Sequence, residues 1–205
     1  MVVVGQFPLL SGVTLDVPAS TITVLTGGNG AGKTSLLRLL AGLMPLASGS
    51  ARVMGVDIGS GDRRQLRRQV GWLGHEGSFY DELTVLDNLQ FAARAFARPL
   101  DEIAPALERV ALGSRTNVPA KALSAGQRRR LSLAWLLIRR PALWLLDEPY
   151  ASLDHDGRDF LDSLLGDAVA NGVSVVLSAH DALGTESIPV RTVHMAGGRI
   201  VEEDH

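Results

Sequence analysis

The N-terminal third of the chain alternates short apolar stretches with polar turns, a pattern typical of strands. Residues 2–4 are all valine, residues 13–17 alternate apolar and polar side chains, and residues 21–26 are rich in β-branched types. Residues 34–43 instead place leucines on one broad face, which favours a helix. We therefore expect three strands followed by a helix.

The last third of the chain returns to strand patterns. Residues 142–146 and 173–178 are continuous apolar runs, as in strands that are buried on both faces of a parallel sheet. A helical pattern over residues 157–171 separates them, and residues 192–195 and 199–201 flank a glycine turn that favours a hairpin. Strands that alternate with helices predict an α/β fold with a mostly parallel sheet.

The middle of the chain is predicted to be helical. Thr84 is a suitable N-cap for a helix over residues 85–97, and further helices are expected over residues 101–112 and 124–138. This helical region, at about residues 81–135, separates the two strand-rich parts. At 205 residues, the chain has the length of one domain, or of one domain with a small insertion.

Composition excludes several kinds of chemistry. With 20 basic and 22 acidic residues, the net charge is −2, which argues against a protein that mainly coats nucleic acid. The chain has no cysteine, so disulfides, thiolate catalysis and cysteine-ligated zinc are excluded. Its apolar runs are far shorter than the roughly 20 residues of a membrane-spanning helix. A function at a membrane would need a span from another chain.

A glycine-rich loop between the third strand and the first helix fits the phosphate-loop pattern G-x-x-x-x-G-K-[ST]. Glycines let the backbone wrap so that successive N–H groups face a polyphosphate, and the following helix directs its positive end at the same anion. Lys33 can reach the terminal phosphates, and Thr34 can offer its hydroxyl to Mg²⁺. The strand before the loop and the helix after it disfavour the alternative, a glycine turn with an exposed lysine. The candidate binding residues are Gly27, Gly28, Asn29, Gly30, Ala31, Gly32, Lys33, Thr34 and Ser35.

Two carboxylates, Asp147 and Glu148, follow the apolar strand at 142–146. Ligands of open α/β sheets bind at such strand ends, and triphosphate chemistry needs a metal-binding carboxylate and a group that handles the attacking water. We expect Asp147 to serve Mg²⁺ through a water and Glu148 to act as general base. Alone, the pattern could also be a strand that ends in a solvated acidic turn. The phosphate loop favours the catalytic interpretation.

The helix predicted over residues 124–138 begins with a motif that allows two interpretations. Ser124 and Gln127 have the spacing of a capping box, which is a purely structural device. The arginines at 128–130 place positive charge in the first turn, where it opposes the helix dipole unless an anion binds. A helix N-terminus with Ser124 and Gly126 is also a suitable anion site.

In this order and spacing, the motifs resemble those of the ATP-binding cassette of ABC transporters. Residues 27–34 look like the Walker A loop, residues 143–148 like Walker B, and residues 123–127 like the LSGGQ signature with alanine for one glycine. Residues 151–154 are similar to the D-loop, and His180 is similar to the switch histidine. The resemblance covers essentially the whole chain. It implies a single P-loop NTPase domain over residues 1–205, with a parallel core, an N-terminal antiparallel β part and an inserted helical signature subdomain.

The resemblance also implies a mechanism with ATP and Mg²⁺ that two chains share. Such cassettes pair head to tail, with each ATP between one Walker A loop and the other signature. The signature residues that would act on the partner's nucleotide are Ser124, Gly126 and Gln127. His180 would join Lys33 and Glu148 in catalysis by contacting the γ-phosphate, unless it is only a satisfied histidine at a strand end. Asp154 would communicate across the dimer. The homodimer would drive a separate integral-membrane subunit from the cytoplasmic face of the inner membrane, with no role for nucleic acid.

Two positions depart from the family pattern. His75 stands where the family usually has a glutamine that helps to coordinate Mg²⁺ and senses the membrane domain. A neutral imidazole could still accept a hydrogen bond from a metal-bound water, and its protonation would add pH sensitivity. The usual aromatic residue that stacks on adenine has no clear counterpart. Phe7 is the nearest candidate, and core packing is its alternative role.

Further similarities narrow the subfamily. Gly74-His75, the surroundings of residues 82–91 and the signature itself resemble the ATP-binding subunit of the haem exporter in bacterial cytochrome c maturation. Two alternatives stay open: an exporter subunit for another substrate, and a soluble cassette ATPase that acts in DNA repair, chromosome organisation or translation. The soluble families tend to carry a coiled coil, a zinc insertion or a second cassette. None of these fits in 205 residues without cysteine.

Overall fold

The structure is a computed structural model that describes residues 1–4, 7–74, 79–151, 153–179 and 190–204. Its elements are numbered along the chain. The described strands are β1 (Val2–Val4), β2 (Phe7–Leu10), β3 (Ile22–Thr26), β4 (Arg52–Val53), β5 (Val56–Asp57), β6 (Val70–Leu73), β7 (Leu143–Leu146), β8 (Ser174–Ser178), β9 (Val190–Ala196) and β10 (Arg199–Asp204). The described helices are α1 (Lys33–Leu40), α2 (Arg63–Gln69), α3 (Val85–Ala95), α4 (Ile103–Arg109), α5 (Ala125–Arg139) and α6 (His155–Ala170).

The chain divides into two compact units. The first comprises Met1–Trp72, Pro141–Tyr150 and Arg158–His205, and the second comprises Leu73–Arg140 and Ala151–Gly157. The helical region predicted at about 81–135 falls within the second unit. The assignment of the whole chain to a single domain stays a prediction.

A six-stranded sheet in the order β10-β9-β3-β8-β7-β6 forms the centre of the first unit. Strand β3 runs parallel to β8 and β9, and β7 runs parallel to β8. Strand β10 runs antiparallel to β9. Every residue of β3, β7 and β8 is buried. The predicted mostly parallel sheet with apolar central strands is confirmed, because such runs avoid water on both faces.

Helix α1 packs against this sheet through its leucines. Leu37 has no exposed surface, and it shares one apolar core with Leu145 of β7 and Val176 of β8. Burial of each such side chain contributes roughly 2 kcal/mol of transfer free energy. The helix was predicted to run to Leu43 but ends at Leu40, because Gly42 adopts a left-handed φ of 69°. This core fixes the start of α1, where the phosphate loop ends.

The N-terminal antiparallel part is confirmed, but the strand predicted over residues 13–17 is wrong. The antiparallel pairs are β1 with β2 and β4 with β5. Within 13–17 the three apolar side chains are half-buried and the two polar ones are exposed, yet no strand is formed there. The carbonyl of Asp16 instead accepts a hydrogen bond from Arg191 Nη1 at 2.5 Å. The alternation shows which face is packed, whereas a strand also needs a neighbouring backbone.

The second unit contains the three helices that were predicted for the middle of the chain. Thr84 caps α3, since its Oγ1 accepts from the Asp87 N–H at 3.1 Å. Helix α4 is shorter than predicted, because a 3₁₀ turn at Leu100–Glu102 precedes it and Arg109 ends it. Asn88 is fully buried, and its side chain bonds to both the N–H and the carbonyl of Tyr80 at 2.8 and 2.9 Å.

Candidate nucleotide-binding site

The glycine-rich loop leaves β3 and packs tightly against the β9–β10 hairpin. Gly27 has a φ of 131°, and a Cβ placed there would lie 2.1 Å from the Met195 carbonyl oxygen. The N–H of Gly198 in the hairpin turn donates to the Ala31 carbonyl at 2.9 Å. Gly32 has a φ of 105° immediately before α1. Side chains at positions 27 and 32 would break this path, so the glycines are needed for backbone reasons.

The outer part of the loop faces solvent, and the lysine lies beneath it. Gly28, Asn29 and Gly30 are exposed, and Ala31 is buried. The side chain of Lys33 is also buried, and its Nζ donates to the Gly27 and Gly28 carbonyls at 2.6 and 3.2 Å. These bonds hold the ammonium at the loop. A solvent-exposed glycine-rich backbone beside a fixed ammonium suits a polyphosphate.

Thr34, in the first turn of α1, meets the end of β7. Its Oγ1 lies 3.0 Å from each carboxylate oxygen of Asp147, a residue that is only 7% exposed. The Ser178 hydroxyl, at the end of neighbouring β8, donates to Asp147 Oδ1 at 2.8 Å. No motif in the sequence indicated a role for Ser178. Its only signal was a polar residue at the end of an apolar strand.

Glu148 has an unusual backbone conformation. Its φ of 47° lies in the left-handed region, which costs a residue with a side chain roughly 1 to 2 kcal/mol. Its N–H donates to Ser178 Oγ at 2.8 Å. Its side chain is partly exposed. Strain of this kind at a strand end is typical of functional sites.

Tyr150 anchors the segment that follows Glu148. Its hydroxyl donates to Asp162 Oδ1 on α6 at 2.5 Å. Burial raises the pKa of the Tyr150 phenol far above its ordinary value, and the hydrogen bond to Asp162 acts in the same direction. The phenol therefore stays neutral in the folded protein at all physiological pH values.

The oxygen atoms at this edge of the sheet are suitable ligands for Mg²⁺. Thr34 supplies a hydroxyl and Asp147 a carboxylate, and these two groups lie 3.0 Å apart. Magnesium in triphosphate sites is commonly held by one or two such protein groups together with substrate phosphates and waters. His75, the third predicted metal ligand, lies outside the described residues.

The signature segment in the second unit forms the capping box that its spacing predicts. The Gln127 N–H donates to Ser124 Oγ at 3.3 Å, and the Ser124 N–H donates to Gln127 Oε1 at 3.0 Å. Ser124 remains exposed, while Gly126 and Gln127 are partly exposed. The cap is therefore real, and the anion role stays a prediction.

The three arginines after the signature have structural partners that the sequence did not reveal. Arg128 pairs with Asp81 at 2.7 Å, and Arg129 and Arg130 donate to backbone carbonyls at 3.2 Å each. These acceptors belong to the second unit itself. These contacts offset part of the cost of positive charge near the start of the helix, and the binding of an anion there stays a prediction.

The structure describes only some of the remaining predicted site residues. Asp154 is exposed, and its Oδ1 accepts from the Gly157 N–H at 2.9 Å at the start of α6. His180 lies outside the described residues, and so does the side chain of Phe7.

Within the described part of the chain, every helix is too short or too polar to cross a bilayer.

The fold and the loop identify the class of protein. The family model described as ABC transporter matches residues 10–151, so the chain belongs to the ABC transporter family. A solved ATP-binding subunit of an ABC transporter is 26% identical and has a TM-score of 0.87, over 98% of this chain and 84% of that one. A dimeric ATP-binding cassette solved in a post-hydrolysis state with ADP and Pi has a TM-score of 0.86 over 96% and 90% of the two chains. At 22% identity, that second likeness shows the fold alone.

Curated relatives are similar over nearly the whole chain. The cytochrome c biogenesis ATP-binding export protein CcmA 2 of Cupriavidus metallidurans is 40% identical over 89% of this chain and 87% of its own. The protein named CcmA in Aromatoleum aromaticum is 42% identical over 86% of this chain and 83% of its own. The one in Alcanivorax borkumensis is 39% identical over 93% and 82%.

Proposed function

We propose that this chain is the ATP-hydrolysing subunit of an ABC transporter that acts in cytochrome c biogenesis, in haem export. The observation that carries the ATPase assignment is the convergence of Lys33, Thr34, Asp147 and Glu148 at one edge of the sheet. The subfamily assignment is supported by relatives that are about 40% identical over most of the chain and are named for cytochrome c biogenesis and export.

Each residue of this edge has a distinct role in the proposed reaction. The loop N–H groups and Lys33 bind the β- and γ-phosphates, while Thr34 and Asp147 hold Mg²⁺. The bound metal supplies charge neutralisation at the phosphates. Glu148 orients the attacking water and accepts its proton, and His180 contacts the γ-phosphate. Phe7 would stack on the adenine, and His75 would accept a hydrogen bond from a metal-bound water.

A second copy of the chain would complete the site. The exposed Ser124, together with Gly126 and Gln127, would bind the nucleotide on the partner, and Asp154 would relay its state across the dimer. ATP favours the closed dimer, and hydrolysis restores the open one, which is a ligand-driven population shift. A separate integral-membrane subunit would convert this cycle into transport. We place the protein peripherally at the cytoplasmic face of the inner membrane.

The ATPase assignment is tested with Glu148→Gln. This variant should bind ATP and accumulate as an ATP-bound dimer, with turnover lower by roughly 10²- to 10⁴-fold, because the water loses its base. Glu202→Gln removes the same charge from an exposed position of β10 and should hydrolyse ATP like the wild type. Near-normal turnover in Glu148→Gln would refute the general-base role.

The subfamily assignment is tested by deleting the gene. The strain should lose covalently haem-bound c-type cytochromes and keep its b-type haem proteins, as resolved by haem staining and reduced-minus-oxidised spectra. Normal c-type cytochromes in the deletion strain would favour the alternative, an exporter for another substrate.

A further inference from the structure

The hydroxyl of Ser178 joins the two acidic residues of the site. The side chain is fully buried at the end of β8. Its Oγ accepts the Glu148 N–H at 2.8 Å and donates to Asp147 Oδ1 at 2.8 Å. A serine hydroxyl has one proton to donate, and here the geometry commits it to Asp147.

We propose that Ser178 is a positioning residue that sets the orientation of the Asp147 carboxylate and the backbone of Glu148 for ATP hydrolysis. The proposal rests on the ATPase function proposed above. Ser178 has no exposed surface through which it could contact a nucleotide or a metal. It acts through the two residues that would.

The Thr34 contact alone does not fix the Asp147 carboxylate. Thr34 Oγ1 is 3.0 Å from both carboxylate oxygens, so it does not distinguish them. Ser178 donates to Oδ1 only, which selects one oxygen and defines the plane of the group. Outer-shell partners of this kind orient a metal-binding carboxylate and tune its affinity.

The same hydroxyl stabilises the strained backbone at Glu148. At a φ of 47°, the Glu148 N–H donates to Ser178 Oγ at the end of the neighbouring strand β8. Without this acceptor, the left-handed conformation would lose a hydrogen bond that favours it. The Glu148 side chain would then leave the direction in which it must meet the attacking water.

Strand β8 itself provides a matched control. Ser174 is also buried, and its Oγ likewise accepts a backbone N–H, that of Ser20, at 3.0 Å. It lies four residues before Ser178 on the same strand, about 13 Å away at the usual rise per residue. Ser174→Ala therefore removes an equivalent buried bond far from the carboxylates.

The test measures ATP binding with EDTA and with excess Mg²⁺, alongside kcat and KM. Ser178→Ala should keep its affinity for ATP in EDTA, whereas both kcat and the gain in affinity caused by Mg²⁺ should fall about 10- to 100-fold. Ser178→Thr should keep kcat and the Mg²⁺-dependent gain in affinity close to their wild-type values. Ser174→Ala should match the wild type. If Ser178→Ala retains its kcat and its Mg²⁺ response, or loses ATP affinity equally with and without Mg²⁺, the proposal is overturned.

The comparison of Ser178→Thr with Ser178→Val covers the case in which Ser178→Ala does not fold. These two side chains have nearly the same shape and differ in the hydroxyl. A kcat and Mg²⁺ response that are higher in Thr than in Val support the positioning role, and equal values refute it. The wild type in the same series separates a failure of the proposed ATPase function from a failure of the proposed role of Ser178. A wild type without ATPase activity would contradict the proposed function, whereas an active wild type with an equally active Ser178→Ala contradicts only the role of Ser178.

Discussion

Gly27→Ala tests whether the phosphate loop depends on its contact with β9. A Cβ at this position would lie 2.1 Å from the Met195 oxygen, which is 0.9 Å inside the 3.0 Å limit for such contacts. Either the loop or β9 must move, and overpacking of this kind costs about 1 to 3 kcal/mol. The φ of 131° adds roughly 1 to 3 kcal/mol for a residue with a side chain. The total, about 2 to 6 kcal/mol, is a large fraction of a typical stability of about 5 to 15 kcal/mol.

The assay is thermal unfolding together with equilibrium binding of ATP. At about 2 to 4 °C per kcal/mol for a chain of this size, the melting temperature of Gly27→Ala should fall by about 4 to 24 °C. Its affinity for ATP should fall at least about 10-fold, because the loop N–H groups lose their alignment.

Two further glycines separate the causes. Gly172 has a φ of 85° and open space around a Cβ, so Gly172→Ala measures the backbone cost alone and should keep wild-type ATP affinity. Gly28 has open space and no left-handed φ, so Gly28→Ala should change stability by less than about 0.5 kcal/mol. If Gly27→Ala melts and binds ATP like the wild type, the close contact between the loop and β9 does not shape the site.

Three other predictions concern single side chains. Asn88→Ala should destabilise the protein by about 1 to 3 kcal/mol in denaturant unfolding, because it removes the hydrogen bonds that the fully buried Asn88 side chain makes to the N–H and the carbonyl of Tyr80, and a loss below about 0.5 kcal/mol would contradict this. The raised pKa of Tyr150 means that its stabilising contribution is complete below the ordinary pKa of 10.0 and declines above it. Before they unfold, the wild type and Tyr150→Phe should therefore show equal rises in near-ultraviolet absorbance as the pH increases. A larger rise in the folded wild type would refute the raised pKa of Tyr150. His75→Gln should keep most ATPase activity and His75→Ala should lose much of it, whereas wild-type activity in both would exclude a role in the metal site.

Elements with strong local signals were predictable from the sequence. Strands β3, β7 and β8 are continuous apolar runs, and the helix caps at Thr84 and Ser124 follow from side-chain chemistry within three residues. The phosphate-loop and Walker B residues carry their chemistry in short segments. The predicted membership of the ABC transporter family, which rests on these segments, is confirmed.

Short elements gave too little pattern to predict. Strands β4 and β5 have two residues each, and α2 buries only Leu66 among its seven residues, so neither shows a repeating face. Residues 13–17 show the opposite problem. Their alternation is real, but whether it becomes a strand depends on a neighbour that the local sequence does not specify.

Contacts across large sequence separations were also beyond local patterns. The Ser178 bond to Asp147 spans 31 residues and exists because β7 and β8 are adjacent in the sheet. The partner of Arg128, Asp81, is distant in sequence in the same way. Strand order and loop paths determine such pairs, which is why the sequence indicated the two carboxylates but not the hydroxyl between them.

The most direct test of the central claim is holo-cytochrome c in the deletion strain, measured by haem staining after expression of wild type, Glu148→Gln or Glu202→Gln at equal levels. Wild type and Glu202→Gln should restore covalent haem attachment, and Glu148→Gln should not. Restoration by Glu148→Gln would contradict the claim that ATP hydrolysis at this site drives cytochrome c biogenesis.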